Sequence, residues 1–237
     1  MSEAYRFTAL GIIWSLIAPA ITIAILSLVF SYIIRISLDN YALYLMSGWL
    51  AWGLFASVVL DSCDAFISRA AMLSKSNVRR SLFVFADSFA KFYLFIIAFI
   101  AMQLVLAILF VGFIHWTALL APLVVLPLFF SAIALGFITA HLVPFYRDVK
   151  HLVEILLGTI YWTIPIIYPI HIVPENIRIF WEINPIYILI KPIQSVVYYG
   201  VFPSILDLSL AILIMVLTIG ISILVVKKHS KNLVFYI

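Results

Sequence analysis

Five long stretches of this chain, residues 7–34, 40–60, 92–146, 155–174 and 208–226, contain no Asp, Glu, Lys or Arg. A helix crosses the hydrocarbon core of a bilayer with about 20 apolar residues. The stretch 92–146 is too long for one crossing, and it is interrupted at His115-Trp116-Thr117 with Pro122 just beyond, so it counts as two. The expectation is an all-α polytopic membrane protein forming a single domain over 1–237. Its six spans are read at about 8–34, 41–60, 92–114, 118–142, 152–169 and 205–226. Composition agrees, since 66% of the 237 residues are hydrophobic and 10% are charged. An ordinary globular domain carries roughly a quarter charged residues, and no soluble fold hides this much apolar surface.

The first apolar run is too long to be the core of a cleaved signal peptide, which spans about 7–15 residues. One cysteine, Cys63, excludes an internal disulfide and offers neither a CxxC pair nor a Cys/His metal pattern. A net charge of +4 raises the question of nucleic acid, yet the basic residues lie between apolar runs and on no single amphipathic face. They read instead as topology signals. With the amino terminus in the cytoplasm, Arg6, residues 61–91, residues 147–154 and the tail from Lys227 share one side. Of 14 Lys and Arg only Arg35, Arg178 and Lys191 fall elsewhere, leaving eleven on that side. The bias follows the positive-inside rule and puts both termini in the cytoplasm.

Residues 61–91 form the one long charged stretch. Phe66, Ile67, Ala70, Ala71 and Leu73 recur there at near-helical spacing beside Arg69, Lys75, Arg79 and Arg80. Two readings stay open for this amphipathic segment: a helix lying on anionic lipid headgroups, or a docking surface for a soluble partner. Residues 155–203 are irregular in another way, being interrupted by Pro165, Pro169, Pro174, Pro185, Pro192 and Pro203. Proline removes a helical hydrogen bond and clashes with the preceding turn, so a single straight helix is excluded. Broken backbone at membrane depth persists only where protein or a water-filled cavity satisfies it. A fifth span ending near Pro169 is therefore expected, followed by a re-entrant gate segment, 170–203. Short helices around 177–181 and 187–199 in that segment would dip toward the outer leaflet.

The chemistry that is missing narrows the function. No Asp, Glu, Lys or Arg stands near the centre of a span, where an ion-coupled transporter usually carries ionisable residues. His115 and His141 lie toward span ends as interfacial residues. No GxxxxGK[ST] phosphate loop is present, so any ATPase driving this chain is a separate subunit. Asp61 and Asp64 are explained by capping and charge balance, and no catalytic constellation converges.

The opening Tyr5-Arg6-Phe7-Thr8-Ala9-Leu10-Gly11-Ile12-Ile13-Trp14, followed by Pro19, is similar to the first span of ABC-2 type permeases that export O-antigen, capsule or teichoic acid. Tyr146-Arg147-Asp148-Val149, Pro165-Ile166-Ile167-Tyr168-Pro169, Val173-Pro174 and Asn184-Pro185 resemble that family's carboxy-terminal half, in order and at similar spacing. The resemblance implies a homodimer of six-span subunits in the bacterial cytoplasmic (inner) membrane, moving a lipid-linked polysaccharide. Two copies of a nucleotide-binding ATPase subunit would hold the ATP and magnesium, leaving this chain with no cofactor. Coupling helices would lie within 66–82 and near 147–151, with Arg69, Ser74, Lys75, Asn77, Arg79, Arg80, Arg147 and Asp148 as coupling residues. Tyr161, Trp162, Pro165, Tyr168, Pro169, Trp181, Asn184, Pro185, Tyr187 and Tyr198 would line the channel or its outer gate. Sugars stack on such rings, but Trp and Tyr also gather at any membrane interface, so the same residues read alternatively as belt anchors.

Two features depart from the family pattern. Only residues 1–4 precede the Tyr-Arg motif where an interfacial helix is usual, so either the true start lies upstream or the element is absent. The first cytoplasmic loop also lacks a proline often found there. A permease for a lipid or drug is the nearest alternative. A non-transporting scaffold for glycan-synthesis enzymes is the other, and it would have no need of broken helices.

Overall fold

The computed structural model describes residues 14–36, 38–70, 79–109 and 115–229. Helix α1 (Trp14–Leu28) ends in a π-helical turn, Val29–Ile33, and is followed by α2 (Tyr41–Cys63) and α3 (Ser81–Leu109). A 3-10 turn, Trp116–Leu120, leads into the short α4 (Ala121–Val124) and then α5 (Leu126–Leu142). Next come α6 (Asp148–Thr163), a 3-10 turn at Ile170–Ile172, α7 (Glu175–Glu182), α8 (Pro185–Val197) and α9 (Ile205–His229). The described residues contain no strand.

Among the described residues, four helical stretches are long and apolar enough to cross a membrane: Tyr41–Cys63, Ser81–Ile108, Trp116–Leu142 and Ile205–His229. Ile17–Ile33 and Pro185–Val197 are shorter apolar helices. The protein is thus an all-α polytopic membrane protein. Helix α2 is its axis, packing on α5, α3, α8, α1 and α6. Tyr44, Leu45, Met46, Ala51 and Phe55 along it are almost wholly buried. The helices approach closely where side chains are small, as is usual for association in lipid. A Cβ on Gly136 of α5 would stand 2.5 Å from Ser62 Oγ of α2, and one on Gly48 would stand 3.0 Å from Ile166. Ile205, Leu206, Val216, Leu217 and Leu224 of α9 and Tyr93, Leu104 and Ile108 of α3 are exposed. Apolar surface on that scale is an aggregation hazard in water, but it is the ordinary outer face of a bundle in hydrocarbon.

The described residues of the charged segment 61–91 do not form one continuous helix, and 71–78 lie outside them. Helix α2 runs on to Cys63, the chain turns over 64–69, and α3 already begins at Ser81, so it absorbs the part of that segment next to the third run. Its added charges are compensated by neighbours, because Asp87 pairs with Arg69 and Lys91 with Asp61. Further on, α6 stops at Thr163 after 16 residues. Pro165 explains the stop: the residue before a proline is driven out of the helical region, and Ile164 is extended at φ −99°, ψ 135°. The chain resumes as α7, which contains 177–181, and α8, which covers most of 187–199. Asn184 caps α8 by accepting from Ile186 N at 3.0 Å, with Pro185 at the first helical position.

Candidate transport site

The break at residues 164–169 frees carbonyls that a helix would have used, and side chains of other helices take them up. Tyr44 Oη on α2 donates to Pro165 O at 2.9 Å and also lies 3.0 Å from Tyr168 O. Gln194 Nε2 on α8 donates to the same Pro165 O at 2.8 Å, and Tyr41 Oη donates to Ile167 O. Gln194 is buried, as are Ile164, Ile166 and Ile167. The break is therefore a built element, since unsatisfied amides in this setting would cost several kcal/mol each. Tyr41, Tyr44 and Gln194 were not among the expected site residues. The signals were a Tyr pair three apart on one helix face and an amide standing in an otherwise apolar helix.

Several expected gate residues meet at the end of α6. Tyr168 Oη donates to Trp162 O at 2.9 Å and accepts from Trp181 Nε1 at 2.7 Å. Asn184 Nδ2 lies 3.4 Å from Thr163 Oγ1. The Tyr161 ring packs between Trp49 and Trp52 of α2, at 5.6 and 5.8 Å, and edge-on to Trp162 at 5.3 Å. Its hydroxyl is buried and finds no partner among the described residues. Trp162 itself is 65% exposed. Pro165 and Pro169 are buried, Pro185 is exposed, and Trp181 and Asn184 are half-buried. Two other residues lie in the packing around α8: Tyr187 is buried, and Tyr198 meets the Tyr44 ring edge-on at 5.2 Å and donates from Oη to Asp39 O at 2.9 Å.

At the charged end of the bundle, three ion pairs radiate from the end of α2 and the turn that follows it. Arg69 binds Asp87 through Nη1 and Nη2, at 2.8 and 2.9 Å, with its guanidinium 5.5 Å from the Phe83 ring centre. Lys91 meets Asp61 at 2.5 Å, and Lys150 meets Asp64 at 2.6 Å. The hydrogen bond to Asp64, and then its charge, hold the Lys150 ammonium above the usual lysine range. Each of these side chains is about a third to a half exposed, so water screens the pairs and each is worth about 0–1 kcal/mol. They orient the elements more than they stabilise them. Of the expected coupling residues, Arg69 belongs to this cluster and Arg80 is half-buried at the start of α3. Arg79, Arg147 and Asp148 are exposed, and Ser74, Lys75 and Asn77 lie outside the described residues. Among the described residues, no three His, Cys, Asp or Glu side chains stand close enough to hold a metal ion.

Residues 1–198 match the ABC-2 type transporter family. The chain is 26% identical over 202 residues to the O-antigen export system permease protein RfbA of Myxococcus xanthus, covering 84% of this chain and 77% of that protein. It is 24% identical over 201 residues to an O-antigen export system permease protein RfbA of Klebsiella pneumoniae, covering 83% and 76%. A second RfbA from Klebsiella pneumoniae is 24% identical over 186 residues, covering 77% and 70%. A polytopic helical bundle with a proline-broken, internally hydrogen-bonded segment, matched over most of its length, belongs to the ABC-2 type transporter family as a membrane permease.

Proposed function

We propose that this chain is the membrane-spanning subunit of an exporter that moves a lipid-linked cell-surface polysaccharide across the bacterial cytoplasmic membrane, powered by a separate ATPase subunit. The observation that carries the reading is the family match over residues 1–198 together with relatives named for O-antigen export. In this reading α1, α2, α3, the α4–α5 unit, α6 and α9 make six crossings, and both termini are cytoplasmic. Helices α7 and α8 re-enter from the outer side.

A polymer rich in hydroxyls must pass about 30 Å of hydrocarbon. One subunit with almost wholly apolar spans offers too few polar positions to line that path, so the working unit is a homodimer. Tyr161, Trp162, Tyr168, Trp181 and Asn184 at the end of α6 would then face the shared path. Arg69, Arg79, Arg80, Arg147 and Asp148 would serve the ATPase side.

Deleting the gene should leave a lipid-linked glycan accumulating at the inner face of the membrane, and the tagged chain should copurify with a nucleotide-binding subunit. An unchanged glycan distribution combined with the absence of an ATPase partner would refute the proposal. If a phospholipid or a drug is retained instead, the permease has a different cargo.

A further inference from the structure

Helix α6 is sparsely packed, as α9 also is. Of its 16 residues only Leu157 is buried, whereas α2 is buried along most of its length. Leu152, Ile155, Leu156 and Trp162 on it are exposed. Its polar and aromatic ties are concentrated at its two ends. Lys150, in the first turn, binds Asp64 at 2.6 Å. At the other end the Tyr161 ring sits between Trp49 and Trp52, and the chain passes directly into the hydrogen-bonded break at 164–169. A rod of 16 residues, at about 1.5 Å per residue, is about 24 Å long, so a displacement at one end is delivered to the other with little lost to packing between.

Asp64 lies in the short turn that also anchors Arg69 to Asp87, while Asp61 at the end of α2 holds Lys91. Those two pairs tie the turn region to α3, whereas the Lys150 pair ties it to α6. We infer that the Asp64–Lys150 ion pair is a coupling strut that carries movement of the 61–70 turn into α6 and onward to the broken segment. Asp64 and Lys150 are positioning residues in this role, and the inference rests on the exporter reading above. A screened pair suits the task, because it can be re-formed in each cycle while fixing which turn of α6 meets the moving segment.

The test compares Asp64→Lys, Lys150→Asp and the exchanged pair D64K/K150D, with Asp64→Asn and Lys150→Met as milder variants. Each is expressed as the full chain with its ATPase subunit. Each single reversal should keep ATPase copurification and ATP hydrolysis near the wild-type level while export falls about tenfold, within the range of broken pair couplings. The exchanged pair should restore export to within about twofold of wild type. Unimpaired export in the single reversals would overturn the inference, and so would an exchanged pair no better than either. Loss of thermal stability and ATPase binding in step with export, in the neutral variants too, would show a structural staple and overturn it as well. If the wild-type chain binds no ATPase and exports no glycan, the exporter reading itself fails and takes the strut with it.

Discussion

Pro165 O is the most heavily used acceptor in the broken segment, since Tyr44 Oη and Gln194 Nε2 both donate to it. Removing one donor leaves the carbonyl satisfied by the other, while removing both leaves it orphaned. Tyr44→Phe and Gln194→Leu should each lower stability by about 0.5–1.5 kcal/mol, and the double variant should lose more than their sum as the carbonyl goes unsatisfied. Thermal unfolding in detergent reads this directly, and strict additivity would show that the two bonds are independent. The Lys150 ammonium gives a second expectation. Its proton affinity is raised in the folded chain, so its contribution is complete below the ordinary lysine value and is lost only as pH rises through the raised one. A pH titration of the complex from neutral into mildly alkaline buffer should therefore leave export by the wild-type chain unchanged, and a fall in export over that range that K150M does not share would contradict it. Neither residue pair was legible beforehand. Asp61 and Asp64 could be read as charge balance from sequence, but their partners, Lys91 and Lys150, depend on which helices become neighbours.

The contact between α5 and α2 makes the bundle sensitive to side-chain volume. Gly136 on α5 faces Ser62 on α2 with no room for a Cβ. Gly136→Val should destabilise the chain by about 1–3 kcal/mol, the usual cost of overfilling a packed interface. Ser62→Ala in the same background should recover part of that loss, and equal melting temperatures for Gly136→Val and wild type would disprove the close approach. On the charged end, Arg79 and Arg80 immediately precede α3. Guanidinium groups suit planar, bidentate contacts with carboxylates, so replacing both with Ala should reduce ATPase copurification while membrane insertion is kept. Unchanged copurification and export would favour a lipid-surface role for that segment. The element boundaries show how far local sequence reaches: the prolines foretell a break, but the fifth span is expected to end near Pro169 and α6 stops at Thr163, before Pro165, while the second short helix is expected over 187–199 and starts at Pro185. The start of α3 at Ser81 was not predicted, because Asp87 and Lys91 look like breaks in an apolar run until their partners are known.

At the scale of the whole molecule, orientation is the claim most open to direct measurement. Cysteines introduced at Asn176 and Arg79, with Cys63 replaced, should be labelled from opposite sides of the membrane, Asn176 from outside. Labelling of Arg79→Cys from outside would overturn the topology and the coupling scheme together. The amino-acid sequence by itself determined that this is a helical membrane protein with a proline-broken carboxy-terminal half, because apolar run length and proline act locally and need no knowledge of neighbours. Only the tertiary structure decided what satisfies the break and what joins it to the charged end. Tyr41 and Tyr44 reach residues more than a hundred positions away, and Lys150 reaches back to Asp64. Such pairings are set by how helices pack, and in an apolar chain whose spans resemble one another in composition, helix order and register leave no local mark.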